Sequence, residues 1–138
     1  MSVIGKYTEC FKLLMNAHLK YDNNEISTKA LKKSLLLSIK TNVILIVKII
    51  LREYELNPNF IDNVGMTPLR WAAYNGNYNI TKELLNSYAN DDLDQYGQNI
   101  VFYAAKKGNI NILKLLKDCN ADFNVINSQG LTALNKIN

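Results

Sequence analysis

The sequence predicts an all-α solenoid of stacked helix–turn–helix repeats with a separate helix at its N-terminus. Two similar segments begin at Gly65 and Gly97, an offset of 32 residues, and a third start follows at Gly130, 33 residues further on. A fixed period of this length is typical of repeat architectures. The composition agrees, because 48% hydrophobic and 20% charged residues suit a chain with a packed core.

Residues 1–31 do not fit the repeat and predict a helical cap. The spacing of apolar residues predicts an amphipathic helix over Tyr7–Lys20, followed by a loop at Asp22–Asn24. The apolar side of this helix consists of Phe11, Leu14, Met15 and Leu19. We expect the helix to cover the first repeat, and the alternative is a helix that binds a partner.

The rest of the chain divides into repeats that together form one domain. The frame gives a degenerate first repeat, two regular repeats and the start of a fourth, at residues 32–64, 65–96, 97–129 and 130–138. A single repeat cannot bury its apolar face, so stacking of neighbours supplies the core. The small pairs Ala72-Ala73 and Ala104-Ala105 let neighbouring helices approach closely.

The first helix of each repeat has predictable ends. Thr67 is a favourable N-cap, and Pro68 occupies the first helical position, where its missing N–H costs nothing. Asn99 and Thr132 are the predicted caps of the next two repeats. The helices end at residues that tolerate a left-handed backbone, namely Asn42, Gly76 and Gly108.

A second helix follows in each repeat, and a turn then leads to the next repeat. The second helices are predicted over Val43–Leu51, Asn79–Asn86 and Asn111–Lys117. The apolar face of the last one consists of Ile112, Leu113, Leu115 and Leu116. Asp62, Asp94 and Asn127 each precede a glycine by three residues, which predicts a β-hairpin-like tip between repeats.

These residues resemble the ankyrin repeat family. The run from Thr67 to Ala73 matches the signature T-P-L-H-x-A-A except at Arg70. The loop Asn57-Pro58-Asn59 with Asp62 is similar to the family's D-P-N-x-x-D pattern, and Ala121–Asn124 is similar to A-D-x-N. The resemblance covers residues 32–138 and implies stacked ankyrin repeats that bind a partner without catalysis.

The chain departs from the family at the histidine of that signature. Leu36, Arg70, Phe102 and Asn135 occupy its four equivalent positions. In the family this histidine usually ties loops together, so the resemblance implies that other contacts replace it here.

The resemblance also implies a concave partner-binding groove built from hairpin tips and first helices. The positions that the family varies correspond here to Lys40, Asn63, Val64, Met66, Tyr74, Asn75, Gln95, Tyr96, Gln98, Lys106 and Lys107, with Ser128, Gln129 and Leu131 at the third tip. Trp71 and Tyr103 lie one turn earlier on the same helices. They either line the floor of the groove or pack between repeats.

The predicted groove combines aromatic and basic side chains. Tyr74 and Tyr96 are rigid amphipathic anchors of the kind that contribute most to interface energies. Lys40, Lys106 and Lys107 add positive charge that favours an acidic protein or peptide, and the alternative is a solvated face. The net charge of +4 permits an acidic partner without requiring nucleic acid.

Two other classes of function stay open. Nucleic-acid binding through the lysines and stacking tyrosines is disfavoured because the chain has only two arginines. Self-association through an open end at Leu131, Leu134 and Ile137 is the other class. The absence of a final polar repeat fits either a piece of a longer array or a small complete protein.

The residues that carry enzyme chemistry are sparse, so we expect no enzyme, no cofactor and no metal site. His18 is the only histidine, and Cys10 and Cys119 form no CxxC motif, which predicts two reduced thiols. Asp91, Asp92 and Asp94 lack the spacing of a calcium-binding loop, so a solvated acidic loop is the better interpretation.

The apolar stretch from Leu31 to Leu51 contains four lysines, which disfavours membrane insertion. We expect a soluble protein of the cytoplasm. The 20 Asn, 14 Lys and 14 Ile suggest an AT-rich genome. With the family resemblance, this composition fits a host-directed effector acting in a host cytosol, and equally an adaptor in the cell that makes it.

Overall fold

The computed structural model describes the backbone of residues 3–21 and 24–137, and the side chains of residues 5–6, 8–17 and 28–137. In these ranges the chain forms seven α-helices and a short 3₁₀ helix. The α-helices are α1 (Val3–Tyr21), α2 (Asn24–Lys40), α3 (Ile44–Arg52), α4 (Pro68–Asn75), α5 (Tyr78–Asn86), α6 (Ile100–Lys106) and α7 (Ile110–Asp118), and the 3₁₀ helix spans Leu134–Lys136. The described residues contain no β-strand. The predicted all-α repeat fold is therefore confirmed.

The chain forms two compact units, Met1–Leu56 and Asn57–Asn138. The sequence predicts one domain. The division falls inside the predicted first repeat, residues 32–64. The first unit contains α1, α2 and α3, and the second contains α4 to α7 with the 3₁₀ helix.

In the first unit, α1 packs against α2 and α3, and α2 packs against α3. The four-residue spacing of Leu31, Leu35 and Ile39 places all three on the buried face of α2. Since α2 begins at Asn24, the predicted loop at Asn24 is wrong, and the predicted boundary between residues 31 and 32 lies inside this helix. Asp22 and Asn23 lie outside the described residues.

The predicted helix over Tyr7–Lys20 is confirmed as part of α1, but its apolar face is only partly correct. Met15 is buried, and Phe11, one turn earlier, packs edge-on against Tyr54 with ring centroids 6.5 Å apart. Leu14 is 71% exposed. Successive residues of an α-helix are rotated by about 100°, so the side chain of Leu14 points away from the buried side chain of Met15. The side chain of Leu19 lies outside the described residues.

In the second unit, first helices pack on first helices and second helices on second helices. Helix α4 packs against α5 and α6, α7 packs against α5 and α6, and the 3₁₀ helix packs against α6. The alanine pairs of α4 and α6 are buried, as their small size predicts. Ile112, Leu115 and Leu116 are buried on α7, while Leu113 is half-buried.

The predicted ends of α4 are confirmed. The Thr67 hydroxyl accepts a hydrogen bond from the Arg70 amide at 3.1 Å, and Pro68 is the first helical residue. Gly76 ends the helix in the left-handed region at φ +75°. Asn42 and Gly108 also have positive φ, as predicted.

The predicted N-cap position is correct at Asn99 and wrong at Thr132. Asn99 is at the N-cap of α6, but its side chain donates to the Asp122 carbonyl at 2.8 Å instead of capping the helix. The Asp91 carboxylate accepts from the Ile100 amide at 2.7 Å in its place. Thr132 donates its hydroxyl to Asn135, and the 3₁₀ helix begins two residues after it.

The two cysteines are free and exposed, in line with the prediction of unpaired thiols. None of the helices in the described ranges combines the length and the apolar character that a membrane span requires.

Candidate binding groove

Three hairpin loops, residues 62–66, 94–98 and 127–131, share one hydrogen-bond pattern in the second unit. In each, an Asx side chain accepts from two backbone amides with its Oδ1 atom. Asp94 accepts from Tyr96 and Gln98 at 2.8 and 2.9 Å, and Asp62 and Asn127 accept in the same way from the amides two and four residues on. The turns predicted at Asp62, Asp94 and Asn127 are confirmed.

The first two loops are also anchored to the helix that follows them. The second carboxylate oxygen of Asp62 accepts from the Trp71 indole at 2.7 Å, and that of Asp94 accepts from the Tyr103 hydroxyl. Partial burial acts to raise the pKa of Asp94, but the hydrogen bonds from Tyr103, Gln98 and Tyr96 outweigh it and hold this pKa below its usual value. Burial, with the bond to Asp94, raises the pKa of Tyr103 well above its usual value.

Arg70 replaces the family's histidine as a tie between loops. Its buried guanidinium donates to the Gly65 carbonyl at 3.2 Å and to the Asp92 carbonyl at 2.9 Å. It also lies over the Tyr103 ring, 5.9 Å from the centroid. The expectation that other contacts replace the missing histidine is therefore confirmed at this position.

The hairpin loops, α6 and the 3₁₀ helix line a groove of about 1090 Å³, which we call the hairpin groove. Eight of the predicted partner-binding residues line it, namely Val64, Met66, Gln95, Tyr96, Gln98, Tyr103, Lys106 and Lys107. Ser128, Gln129 and Leu131 of the third loop also line it. The backbone of the last two loops is joined directly, because the Ser128 amide donates to the Tyr96 carbonyl at 2.9 Å.

The remaining predicted residues lie elsewhere. Lys40 is exposed at the end of α2 in the first unit. Asn63, Trp71, Tyr74 and Asn75 belong to the second unit but do not line the hairpin groove. Trp71 packs edge-on against Tyr74 with ring centroids 6.3 Å apart, in addition to its bond with Asp62, so packing accounts for its position.

Tyr74 does not line the hairpin groove, but it positions a lysine that does. The Lys107 ammonium lies 4.8 Å from the centroid of the Tyr74 ring, within the range of a cation–π interaction. Lys107 itself lines the hairpin groove, so Tyr74 holds one of its charges in place.

The sequence prediction missed Lys136 and Ile137, which line the hairpin groove from the 3₁₀ helix and its end. The repeat register carried a signal for Lys136. The 33-residue offset from Gly97 to Gly130 places Lys136 at the position of Tyr103 in the preceding repeat. A lysine there adds to the positive charge of Lys106 and Lys107.

The acidic loop does not gather a metal site in the described part of the chain, where no three His, Cys, Asp or Glu side chains lie together as ligands. Its carboxylates have other partners, since Asp91 accepts from Ile100 and Asp94 accepts from Tyr103. The side chain of His18 lies outside the described residues.

Comparisons with known proteins agree with this architecture. Over 134 residues, 94% of this chain, the sequence is 27% identical to the glycerophosphocholine phosphodiesterase GDE1 of Candida albicans, and the match spans 11% of that protein. The family model for ankyrin repeats in three copies matches residues 1–92, including the segment predicted to be a cap. Since this match covers more than half of the chain, the protein belongs to the ankyrin repeat family.

Proposed function

We propose that this chain is a non-catalytic binding module that holds a protein or an extended peptide in the hairpin groove. The observation that supports the proposal is the groove itself. Its hairpin loops are fixed by internal hydrogen bonds, and it presents Tyr96, which is 57% exposed, beside three exposed lysines. A rigid exposed tyrosine supplies contact area at little cost in conformational entropy.

The family supports the same class of function, because ankyrin repeats generally mediate protein–protein interaction. The similar Candida albicans protein is named as a phosphodiesterase, but this chain spans only 11% of it. The groove's own acid and base groups also favour binding over catalysis, because Asp94 and Tyr103 are bonded to each other and hold a loop in place.

Affinity capture with three forms of the full chain would test the proposal. The groove variant combines Tyr96→Ala with Lys106→Glu. The matched control combines Tyr88→Ala with Lys114→Glu, whose side chains are exposed outside the groove. We expect the intact chain and the control variant to capture a protein that the groove variant does not capture. The Kd of that purified protein for the groove variant should exceed its Kd for the intact chain by about tenfold or more, which is roughly 1.4 kcal/mol or more of binding free energy.

Circular dichroism should show equal helix content in all three forms, so that a loss of binding reports on the surface. Retention of every captured protein by the groove variant would contradict the proposal, because the exposed anchors of the groove would then be unnecessary.

A further inference from the structure

Most of the carboxylate and amide side chains that line the hairpin groove already accept hydrogen bonds. Six of its lining residues carry carboxylate or amide side chains, and four of these already accept hydrogen bonds within the unit. The four are Asp94, Gln98, Asn127 and Asn135. The side-chain oxygen of Gln129 has a longer contact, 3.5 Å, with the Lys136 ammonium. A ligand that brought mainly donors would therefore find most of these side-chain oxygens already engaged.

The groove is rich in donors and positive charge. Lys106, Lys107 and Lys136 line it and are exposed, and none of them forms an ion pair in the described part of the chain. Asp94 is the only acidic lining residue, so three positive charges and one negative charge leave a net +2. Both oxygens of Asp94 already accept internal hydrogen bonds, so Asp94 offers a ligand little free acceptor capacity.

One of these cations is already positioned. Lys107 lies over Tyr74, Tyr74 packs on Trp71, and the Trp71 indole is bonded to Asp62. A side chain held in this way loses less conformational entropy when a ligand binds than a freely rotating lysine does.

Apolar surface lies between the charges. Tyr96 and Ile137 are each more than half exposed, and Met66 and Leu131 are half-buried along the same groove. This mixture suits a peptide that carries both acidic and apolar side chains.

The same residues suit nucleic acid less well. Arginine forks and open aromatic faces are the usual means of binding phosphates and bases. Neither arginine of the chain offers its guanidinium to a ligand in the groove. Arg70 is buried in contacts with loop carbonyls, and Arg52 belongs to the first unit. One face of the Tyr103 ring is occupied by Arg70.

We propose that the hairpin groove binds an acidic, extended peptide segment of a partner protein. Its Asp and Glu carboxylates pair with Lys106, Lys107 and Lys136, and an apolar side chain packs beside Tyr96. The inference rests on the proposed function and specifies the chemistry of the ligand.

A random dodecapeptide library selected on the full chain would test this inference. The peptides that emerge should be enriched in Asp and Glu together with an apolar residue. A labelled peptide from this pool is then titrated against the intact chain, a groove variant and a control. The groove variant is Lys106→Glu with Lys136→Glu. The control is Lys82→Glu with Lys114→Glu, which changes the net charge equally at exposed positions on α5 and α7 outside the groove.

We expect the groove variant to bind the peptide roughly tenfold or more weakly, and the control to stay within about twofold, because distant charges are screened. The affinity for the intact chain should also fall as salt rises. Equal urea midpoints for the two variants would exclude a folding defect.

Three outcomes would overturn the inference. The first is that the enriched peptides are neutral or basic and that their binding still requires Tyr96. The proposed function would then stand, but the inference that the ligand is acidic would be wrong. Equal weakening in both double variants would mean that only the net charge matters. The third outcome is that no peptide is enriched, while a single-stranded oligonucleotide binds tightly and Lys106→Glu abolishes that binding. This outcome would assign the groove to nucleic acid and would contradict the proposed function as well.

Discussion

At the scale of single residues, each aspartate of the first two hairpin loops forms two sets of contacts. One oxygen of Asp94 accepts from two backbone amides of its own loop, and the other accepts from Tyr103 on α6. Asn127 has the same place in the third loop and makes the same amide contacts, but its Nδ2 donates to Gln98 at 3.1 Å. The turn therefore needs only one acceptor oxygen, and the second carboxylate oxygen of Asp94 adds an anchor to the helix.

Asp94→Asn should lower the free energy of unfolding at pH 7 by about 1 kcal/mol, because the amide keeps the turn but cannot accept from Tyr103 with its nitrogen. The ordinary pKa of the carboxyl is 3.8, and folding lowers it. A depressed pKa means that the stabilisation is present above pH 3.8 and is lost as the pH falls through the folded-state value. Urea unfolding of both proteins at several pH values should show their stabilities converging at low pH.

Tyr103→Phe provides the control, because it removes the donor and leaves the carboxylate in place. It should cost a similar amount at pH 7, and the double variant should cost less than the two single changes added together. Additive losses would mean that the contact between Asp94 and Tyr103 does not stabilise the fold.

At the scale of elements, the helix ends recur with the repeat. The first helices turn at Asn42, Gly76 and Gly108, all with positive φ. The second helices are followed by positive φ at Glu55, Tyr88 and Asn120, positions that were not predicted from the sequence. A non-glycine residue in this region costs about 1 kcal/mol, so surrounding contacts have to impose the conformation.

Gly76→Ala should destabilise the protein by about 2–3 kcal/mol, and Gly108→Ala by about 1 kcal/mol. Both glycines have positive φ and occupy the same place in their repeats, so the cost of the backbone conformation is shared. A Cβ at Gly76 would lie 2.9 Å from the Asn109 side-chain oxygen, whereas a Cβ at Gly108 meets nothing within 4 Å. Urea unfolding midpoints measure the difference.

The extra cost at Gly76 has a specific source. The Asn109 side chain donates to the Ala73 carbonyl at 2.8 Å, and it would have to move to make room for the new methyl group. Equal destabilisation by the two substitutions would show that Asn109 adapts without losing this bond.

At the scale of the whole molecule, side chains that reach from one repeat to the next help to hold the second unit together. Asn59 donates to the Tyr88 carbonyl and accepts from the Asn90 amide, at 3.2 and 2.7 Å. Asn109 donates to the Ala73 carbonyl of the preceding repeat, whereas Asn99 donates to the Asp122 carbonyl within its own repeat. Part of the high asparagine content therefore has a structural role, since an amide can both donate and accept between two loops.

Arg70→Ala should lower the free energy of unfolding by about 2–4 kcal/mol, because it leaves a cavity and removes two charge-assisted hydrogen bonds to loop carbonyls. Arg70→Lys should recover only part of this loss, because one ammonium does not reproduce the guanidinium fork. Equilibrium urea unfolding is the measurement. Lys82→Ala, at an exposed position on α5, should change the stability by less than about 0.5 kcal/mol. A loss at Arg70 no larger than at Lys82 would contradict the role of this tie.

Local chemistry determined most of the fold and part of the candidate site. The repeat register, the end of α4 at Gly76 and the turns at Asp62, Asp94 and Asn127 could all be read from the sequence, because they depend on backbone preferences and on partners a few residues away. Eight groove-lining residues followed from that register together with the positions that the family resemblance assigns to the groove.

Contacts between distant residues were decided only by the tertiary structure. It determined that Tyr103 lines the groove while Trp71 does not, that Lys136 joins the lysines, and that Asp91 caps the helix in place of Asn99. The sequence predicted that something must replace the family's histidine, but the partner of Arg70 lies 22 residues away and that of Asn109 lies 36 residues away. Periodicity places such side chains on a face, whereas the choice between competing polar partners depends on distances that arise only when the repeats stack.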